Sequence, residues 1–420
     1  MAASLKRIDT SQLRTGMYLH ELCGSWMEHP FWRSSFKLED PKDIERILAS
    51  GVKQAWIDTS RGLDIAAGEP EQVARERVER ELVQTVADAP PAEAAPAPAE
   101  HRISLAEELD RATQICRDSR RAVMGMFREA RMGAAIEPAS VAPLVAEIAG
   151  SVMRNPAALI SVARLKTSDD YTYMHSVAVC GLMIALARQM GLDETLVREA
   201  GLAGLLHDVG KMMVPNAVLN KPGRLTDDEF VLVKTHPERG HEMLARSGLV
   251  SEAALDVCLH HHEKVDGSGY PHGLAGEEIS LLARMGAVCD VYDAITSNRP
   301  YKRGWDPAES VRKMAEWSKG HFDPVVFQHF VRSVGIYPVG ALVRLKSERL
   351  AVVVEAPSAS LLKPVVLAFH SATERRPIRR ERLDLSAPGC TDAIASHEDP
   401  ARWKLGNTDA LWKTPESVAA

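Results

Sequence analysis

The sequence predicts a mostly α-helical protein with small β-containing segments at both ends. Hydrophobic residues make up 45% of the 420 residues, but aromatic residues make up only 5%. This composition is typical of closely packed helices rather than of a β-sandwich or a β-barrel. Helical stretches with apolar stripes follow one another from Leu105 to about residue 333. Because one hydrophobic core rarely serves so long a chain, we expect two or three domains.

Residues 1–65 are predicted to form a small α+β module. Residues 15–22 (TGMYLHEL) alternate as a strand does, a helix begins at Pro41 with Gly51 after it, and residues 52–58 (VKQAWID) form a second strand. We expect a βαβ-like regulatory fragment, in which no residues with evident chemistry occur.

The chain after this module is predicted to form a linker, a main domain and an appendage. Residues 66–104 are charged and then rich in Ala and Pro, so they bury too little apolar surface to offset the entropy of ordering them. Residues 105–333 form the helical domain. Residues 334–420 begin with short β-branched strands and end in a polar tail, which predicts a β-rich appendage.

Charge and cysteine content exclude several classes of protein. The formal net charge of -6, from 51 basic and 57 acidic residues, disfavours a protein that binds nucleic-acid polymers or membrane surfaces. The six cysteines are scattered without CxxC spacing, and no apolar stretch reaches the ~20 residues of a membrane helix. We therefore expect a cytoplasmic protein.

Histidine and aspartate side chains recur on the apolar helices of the main domain. On the first of these helices, His175 shares a stripe with Val179, Leu182 and Leu186 and is expected to face the core. The full set contains five imidazoles and two carboxylates: His175, His207, Asp208, His236, His261, His262 and Asp290.

A single buried histidine is more often hydrogen-bonded to the backbone than bound to a metal. Seven such side chains without partners would carry severe desolvation penalties, and a divalent metal accepts them all. Imidazole and carboxylate without thiolate favour a catalytic Fe, Mn, Zn, Ni or Co site.

The adjacent residues His207 and Asp208 predict a two-metal site. Neighbours on a helix diverge by about 100°, so they can serve different metals if Asp208 bridges through its two oxygens. We expect Gly210 to end this helix and Lys211 to project toward a phosphate bound on the metals.

The ordered segments HDVGK, HPERG, HHEKVDGSGYP and DVYDAITSNRPYK resemble the HD-GYP domain phosphodiesterases over roughly residues 150–330. The N-terminal module and linker resemble an uncharacterised module often found ahead of that domain. The resemblance implies an all-helical domain of the HD superfamily and a bi- or trinuclear iron-type centre. It also implies hydrolysis of cyclic di-GMP to pGpG or onward to GMP.

By position, the seven side chains match the metal ligands of the family, and His260 is additional. Where relatives with three metals have a glutamate one turn before the first histidine, this chain has Tyr171. We therefore expect two divalent ions, Fe or Mn, with Zn, Ni and Co as alternatives. Two metals about 3.5–4 Å apart activate a bridging water and clamp the phosphate.

Other residues are assigned to catalysis and to substrate binding. Lys211 is expected to neutralise phosphate oxygens or to protonate the leaving alkoxide, and Asp293 to orient a metal ligand or to hold Lys211. Arg299 and Lys302 resemble the phosphate-contacting pair of the family. The glycines of DGSGYP are expected to present Tyr270 beside the site.

Three functions stay open at this point. The first is the cyclic di-GMP phosphodiesterase, the second is a phosphohydrolase of the His-Asp type that acts on another nucleotide, and the third is a weakly catalytic cyclic di-GMP sensor. Protein partners could bind the N-terminal module or the GYP loop, and a homodimer is also open.

Overall fold

The computed structural model describes the chain with several gaps. The described residues are 5–23, 35–87, 103–165, 171–219, 221, 223, 225–297, 304–355, 361–400, 402–406 and 408–413. The chain divides into two units, of which the first holds residues 1–88 with 312–319 and the second holds the remainder.

The first unit contains a five-stranded antiparallel sheet and two helices. Its elements are β1 (Leu5–Asp9), β2 (Tyr18–Cys23), β3 (Phe36–Lys37), α1 (Pro41–Ala49), β4 (Gln54–Asp58), β5 (Glu69–Pro70) and α2 (Glu71–Ala87). The strand order is β3-β2-β4-β1-β5. Leu19, Ile47 and Ile57 are fully buried in its core.

Two expectations for this unit are wrong. A βαβ-like fragment would pair its strands in parallel, whereas β4 pairs antiparallel with both of its neighbours, β1 and β2. Residues 69–87 are a strand and a helix rather than part of a linker. Helix α2 buries three apolar side chains spaced four residues apart, Ala74, Val78 and Leu82. The many charged residues around them led to the prediction of a linker. Residues 88–102 of the expected linker lie outside the described residues.

The second unit is built mainly from helices. They are α3 (Leu105–Arg131), α4 (Pro138–Arg154), α5 (Pro156–Arg164), α6 (Tyr171–Gln189), α7 (Glu194–Leu206), α8 (Asn216–Leu219), α9 (Asp227–Lys234), α10 (His236–Ala245), α11 (Glu252–His260), α12 (Leu281–Thr296), the two ends of α13 (Pro307–His321) and α14 (Pro324–Val334). Residues 312–319 of α13 belong to the first unit. Helices α7, α11 and α12 begin where Asp193, Ser251 and Ser280 accept hydrogen bonds from backbone N–H groups.

Helix α6 forms the centre of this unit. Residues 174–187 are all buried, so the helix is apolar on every side and not only along the expected stripe. It packs against α5, α7 and α12, which places His175 among the helices that carry the other predicted ligands.

The chain ends in a second antiparallel sheet. It contains β6 (Leu342–Leu345), β7 (Arg349–Glu355), β8 (Val365–Ser371), β9 (Arg376–Asp384) and β10 (Ile394–His397), followed by α15 (Ala410–Lys413). The strand order is β10-β6-β7-β8-β9. Strands β9 and β10 fall in the segment that was expected to be a polar tail. The sequence of β9 is polar because β9 is an edge strand that exposes most of its side chains.

The predicted fold class is confirmed: a mostly helical chain with one small sheet near each end. The domain boundaries at 104/105 and 333/334 stay predictions. Among the described residues, no helix has the length and apolar character needed to cross a membrane.

Candidate metal centre

Four imidazole rings are fixed by a hydrogen bond at Nδ1. In His207, His236 and His261 the Nδ1–H donates to the carbonyl oxygen three residues earlier, at 2.8, 2.8 and 3.0 Å. In His175 it donates to Oδ2 of Asp293 at 2.6 Å. Each ring therefore turns its Nε2 away from this hydrogen bond, and Nε2 is the nitrogen that can face a metal.

The predicted ligands form two groups whose ligand atoms lie within 4.8 Å of one another in each group. The first group contains His175, His207 and Asp208, and the second contains His236, His261 and His262.

Asp208 connects the two groups through its two carboxylate oxygens. Oδ2 lies 3.4 Å from Nε2 of His175 and 3.5 Å from Nε2 of His207. Oδ1 lies 3.3 Å from Nε2 of His236 and 3.8 Å from Nε2 of His261. A carboxylate in this position can bridge two cations, as the sequence predicts.

Asp290 is a second carboxylate shared by the two groups. Its Oδ1 lies 2.8 Å from Nε2 of His175 and 3.8 Å from Nε2 of His207. Its Oδ2 lies 3.7 Å from Nδ1 of His262. All seven predicted ligands thus converge on one buried centre.

The donor atoms of this centre fit divalent cations. Nε2 of His236 and Nε2 of His261 lie 3.3 Å apart, and both present lone pairs because both Nδ1 atoms donate to carbonyls. Within the described part of the chain, Nε2 of His207 and Oδ1 of Asp208 are buried and make no hydrogen bond. A bound cation would remove the repulsion between the two Nε2 lone pairs and would give the buried atoms of His207 and Asp208 a partner.

The protonation states also suit a metal. Burial by itself raises the pKa of the Asp208 carboxyl, but Lys211 and His207 outweigh it and hold that pKa well below its usual range. Burial lowers the pKa of His261 to about 3 and that of His262 well below its usual range. These ligands are therefore in their metal-binding, unprotonated forms near neutral pH.

The chain around His207 differs from the prediction. Helix α7 ends at Leu206 and residues 209–213 form a 3-10 helix, so the expected helix end at Gly210 is wrong. A Cβ atom on Gly210 would lie 1.9 Å from the carbonyl oxygen of His236 and 2.5 Å from the backbone nitrogen of Gly240. This backbone contact with α10 stops the helix early and brings His236 against Asp208.

Lys211 and Asp293 have distinct partners. The ammonium group of Lys211 pairs with Oδ2 of Asp208. Asp293 binds His175 and accepts a hydrogen bond from the hydroxyl of Ser297 at 3.1 Å. Of its two expected roles, the orientation of a ligand is therefore the one that the contacts support.

The GYP loop is held by one buried carboxylate. Glu263, 2% exposed, accepts hydrogen bonds from the backbone N–H groups of His272, Gly273 and Leu274 at 2.7, 3.1 and 3.1 Å. The ring of Tyr270 stacks on that of His262, with centroids 4.8 Å apart. The loop thus presents Tyr270 beside a ligand, as expected.

Comparison with known proteins identifies the family. Residues 5–141 match a model described as a domain of unknown function (DUF3391), and residues 153–326 match an HD domain. A cyclic di-GMP phosphodiesterase of Pseudomonas aeruginosa is 56% identical over 410 residues, which are 97% of this chain and 95% of that protein. The chain belongs to the HD-GYP family of cyclic di-GMP phosphodiesterases.

Other HD-GYP relatives match a smaller share of the chain. The cyclic di-GMP phosphodiesterase response regulator RpfG of Xanthomonas campestris is 46% identical over 148 residues, 35% of this chain and 38% of that protein. A 3′3′-cGAMP-specific phosphodiesterase of Vibrio cholerae is 35% identical over 184 residues, 42% of each chain. Proteins of this family are metal-dependent hydrolases, and the His/Asp groups described above are suited to divalent metals.

Tyr171 stands where the family resemblance implies a glutamate in relatives with three metals. Tyr171 lies parallel to the ring of His175, with centroids 5.8 Å apart and an interplanar angle of 9°. A phenol stacked in this way supplies no carboxylate to a third cation.

Three further predicted positions have different outcomes. Arg299 and Lys302, the expected phosphate contacts, lie outside the described residues. His260 lies away from the centre: its Nδ1 donates to Asp256 at 2.7 Å, and its Nε2 lies 3.1 Å from Nδ1 of His272.

One residue that supports the centre, Arg131, was not predicted from the sequence. Arg131, at the end of α3, donates from Nε to the carbonyl oxygen of Met212 at 2.9 Å and from a terminal nitrogen to the side chain of Asn216 at 3.2 Å. It thereby fixes the segment that carries Lys211. A basic residue at a helix end is common, so only the tertiary contact reveals this role.

Proposed function

We propose that this chain hydrolyses cyclic di-GMP to pGpG with two divalent metal ions held by the seven ligands. The observation that carries the proposal is the position of Asp208, whose two oxygens face two separate groups of imidazoles. Onward cleavage of pGpG to GMP is expected to be inefficient, because Tyr171 stands where a third metal would need a carboxylate.

Fe or Mn is the proposed metal, with Zn, Ni and Co as alternatives that the same ligands accept. When bound, paired cations polarise the phosphate and lower the pKa of water enough to make it a nucleophile at neutral pH. Asp208 and Asp290 hold negative charge between the two ligand groups, and Asp293 keeps His175 in the required tautomer.

Lys211 is the proposed proton donor and charge partner for the substrate, and Tyr270 is a proposed substrate contact. Water adds to phosphorus and loses a proton to solvent, the bond from phosphorus to the 3′ oxygen breaks, and that oxygen takes up a proton from Lys211, which regains one from solvent. Burial raises the pKa of Tyr270 well above its usual range, so its phenol keeps its proton. Lys211 neutralises the phosphate oxygens, and Arg299 and Lys302 are proposed to contact the phosphate as the family resemblance implies.

Turnover of cyclic di-GMP by metal-reconstituted protein tests this function. The products pGpG and GMP are separated by chromatography, and accumulation of pGpG is expected. Asp208→Ala should abolish turnover, and a chelator should do the same to the wild-type protein. Full activity of the variant, or of chelated protein, would refute the metal-bridging role.

A second candidate substrate is 3′3′-cGAMP, because a relative that matches 42% of this chain is named for it. The two cyclic dinucleotides differ in one base, so competition between them at equal concentration decides which is hydrolysed with the higher kcat/KM. Protein partners of the N-terminal module or GYP loop, and a homodimer, stay predictions.

A further inference from the structure

Lys234, the last residue of α9, lies beside the GYP loop. Its Nζ lies 4.9 Å from the ring centre of Tyr270 and 4.9 Å from the ring centre of Phe230. The side chain is half-buried. Among the residues that the structure describes, no carboxylate forms an ion pair with this ammonium group. Two aromatic rings therefore hold a cation whose charge is not neutralised.

The ring of Tyr270 separates this ammonium group from the metal ligand His262. The ring of Tyr270 stacks on His262 at 4.8 Å with an interplanar angle of 26°. Lys234 also precedes the ligand His236 by two residues, and Nδ1 of His236 donates to the carbonyl oxygen of Val233, the residue before Lys234, at 2.8 Å. The backbone next to Lys234 therefore contacts one ligand, and its ammonium group contacts the ring that stacks on another.

A cyclic dinucleotide carries two phosphodiesters, and only one can occupy the metal centre at a time. The other keeps its negative charge and needs a cation nearby. Lys211 is engaged with Asp208 inside the centre, whereas Lys234 lies at its edge. An ammonium group is a compact point charge with three donors, and it suits a phosphate whose orientation is set elsewhere.

We propose that Lys234 binds the second phosphodiester of the cyclic dinucleotide, the one that is not cleaved. The inference rests on the proposed function and extends it, since it makes Lys234 a determinant of specificity for substrates with two phosphates. A substrate with a single phosphodiester gains nothing from this contact.

Two substrates separate this role from a general effect on the centre. Lys234→Met keeps most of the side-chain packing between the two rings but removes the charge. KM for cyclic di-GMP should rise by roughly tenfold, the size expected for a partly solvated contact to a charged group, with little change in kcat. KM and kcat for bis(p-nitrophenyl) phosphate, which has one phosphodiester, should not change.

Lys346 is an exposed lysine in the turn between β6 and β7. Lys346→Met is the matched control for the loss of one positive charge and should leave KM and kcat unchanged for both substrates. Lys234→Arg should recover most of the lost affinity. An unchanged KM for cyclic di-GMP in Lys234→Met, or an equal loss for both substrates, would overturn the inference while the proposed function stands. Wild-type protein that hydrolyses bis(p-nitrophenyl) phosphate but not cyclic di-GMP would overturn the proposed function and this inference with it.

Discussion

The carboxylate behind a metal-binding imidazole decides which ring nitrogen faces the metal. Asp293 accepts the Nδ1–H of His175 at 2.6 Å and so directs Nε2 toward Asp290 and Asp208. In the other three fixed rings, a backbone carbonyl has this role. His175 is thus the ligand whose orientation can be changed by one side-chain substitution.

Asp293→Asn should lower metal affinity or activity about 10–100-fold, because the amide can present its NH2 group to Nδ1 and favour the wrong tautomer. Metal content after dialysis and kcat measure the effect. Asp256→Asn is the matched control, since Asp256 makes the same contact at 2.7 Å with His260, which lies outside the centre. If the two variants lost activity to the same extent, the assigned role of Asp293 would be wrong.

The sequence was sufficient to predict which seven side chains converge, but not all of the contacts that position them. Each of the seven ligands lies in a short motif, and their types alone indicate a metal. The contact between Asp293 and His175 and the position of Lys234 beside Tyr270 depend on how distant segments of the chain meet. No local pattern encodes those contacts.

At the scale of elements, the GYP loop depends on Glu263. Its carboxylate accepts three backbone N–H groups and is buried. In Glu263→Gln the amide nitrogen would face an N–H donor, which should lower the free energy of unfolding by about 1–3 kcal/mol. We expect faster amide exchange at residues 272–274 and a lower kcat/KM, measured by hydrogen-exchange mass spectrometry and by kinetics.

Glu278→Gln is the control for this loop, because exposed Glu278 accepts a single backbone N–H, from Ala275 at 2.9 Å. Unaltered exchange at residues 272–274 in Glu263→Gln would show that the loop is held by other contacts.

The turn after α7 depends on the absence of a side chain at Gly210. Gly210→Ala would place a Cβ 1.9 Å from a backbone oxygen of α10, and should destabilise the protein by about 3 kcal/mol and reduce bound metal. Gly125→Ala, on the exposed side of α3 with open space around its Cβ, should instead raise stability by about 0.5–1 kcal/mol. Chemical denaturation measures both, and equal stability of Gly210→Ala and wild type would contradict the contact.

Element boundaries were the least predictable part of the fold, because they depend on contacts with other parts of the chain. Gly210 resembles a helix terminator in sequence, but its role is a close approach of backbones. The charged stretch that includes α2 resembles a linker, yet three buried side chains one turn apart are enough to order it. In both cases the deciding contact comes from another part of the chain.

At the scale of the whole molecule, a net charge of -6 disfavours the approach of an anionic substrate. Binding must therefore depend on positive charge close to the site, since charges beyond about 8–10 Å are screened at physiological salt. Lys211 and Lys234 lie at the site and carry such charge, and bound divalent cations would add to it. The composition thus disfavours nucleic-acid polymers as ligands but is compatible with a small anion.

The stability of the whole chain should depend on pH through His321, at the end of α13. Burial lowers the pKa of His321 to about 3, from a usual value of about 6.5 in the unfolded chain. Below pH 6.5 the unfolded state binds a proton that the folded state does not, so stability is complete above that pH and is lost as the pH falls toward 3. Between pH 7.5 and pH 5 this group should remove about 1–2 kcal/mol from the free energy of unfolding. In His321→Gln the side chain at this position does not titrate between pH 5 and pH 7.5. Urea denaturation should therefore show a smaller change in the free energy of unfolding between the two pH values for the variant than for the wild type. Equal differences for wild type and variant would mean that His321 accepts a proton in the folded protein.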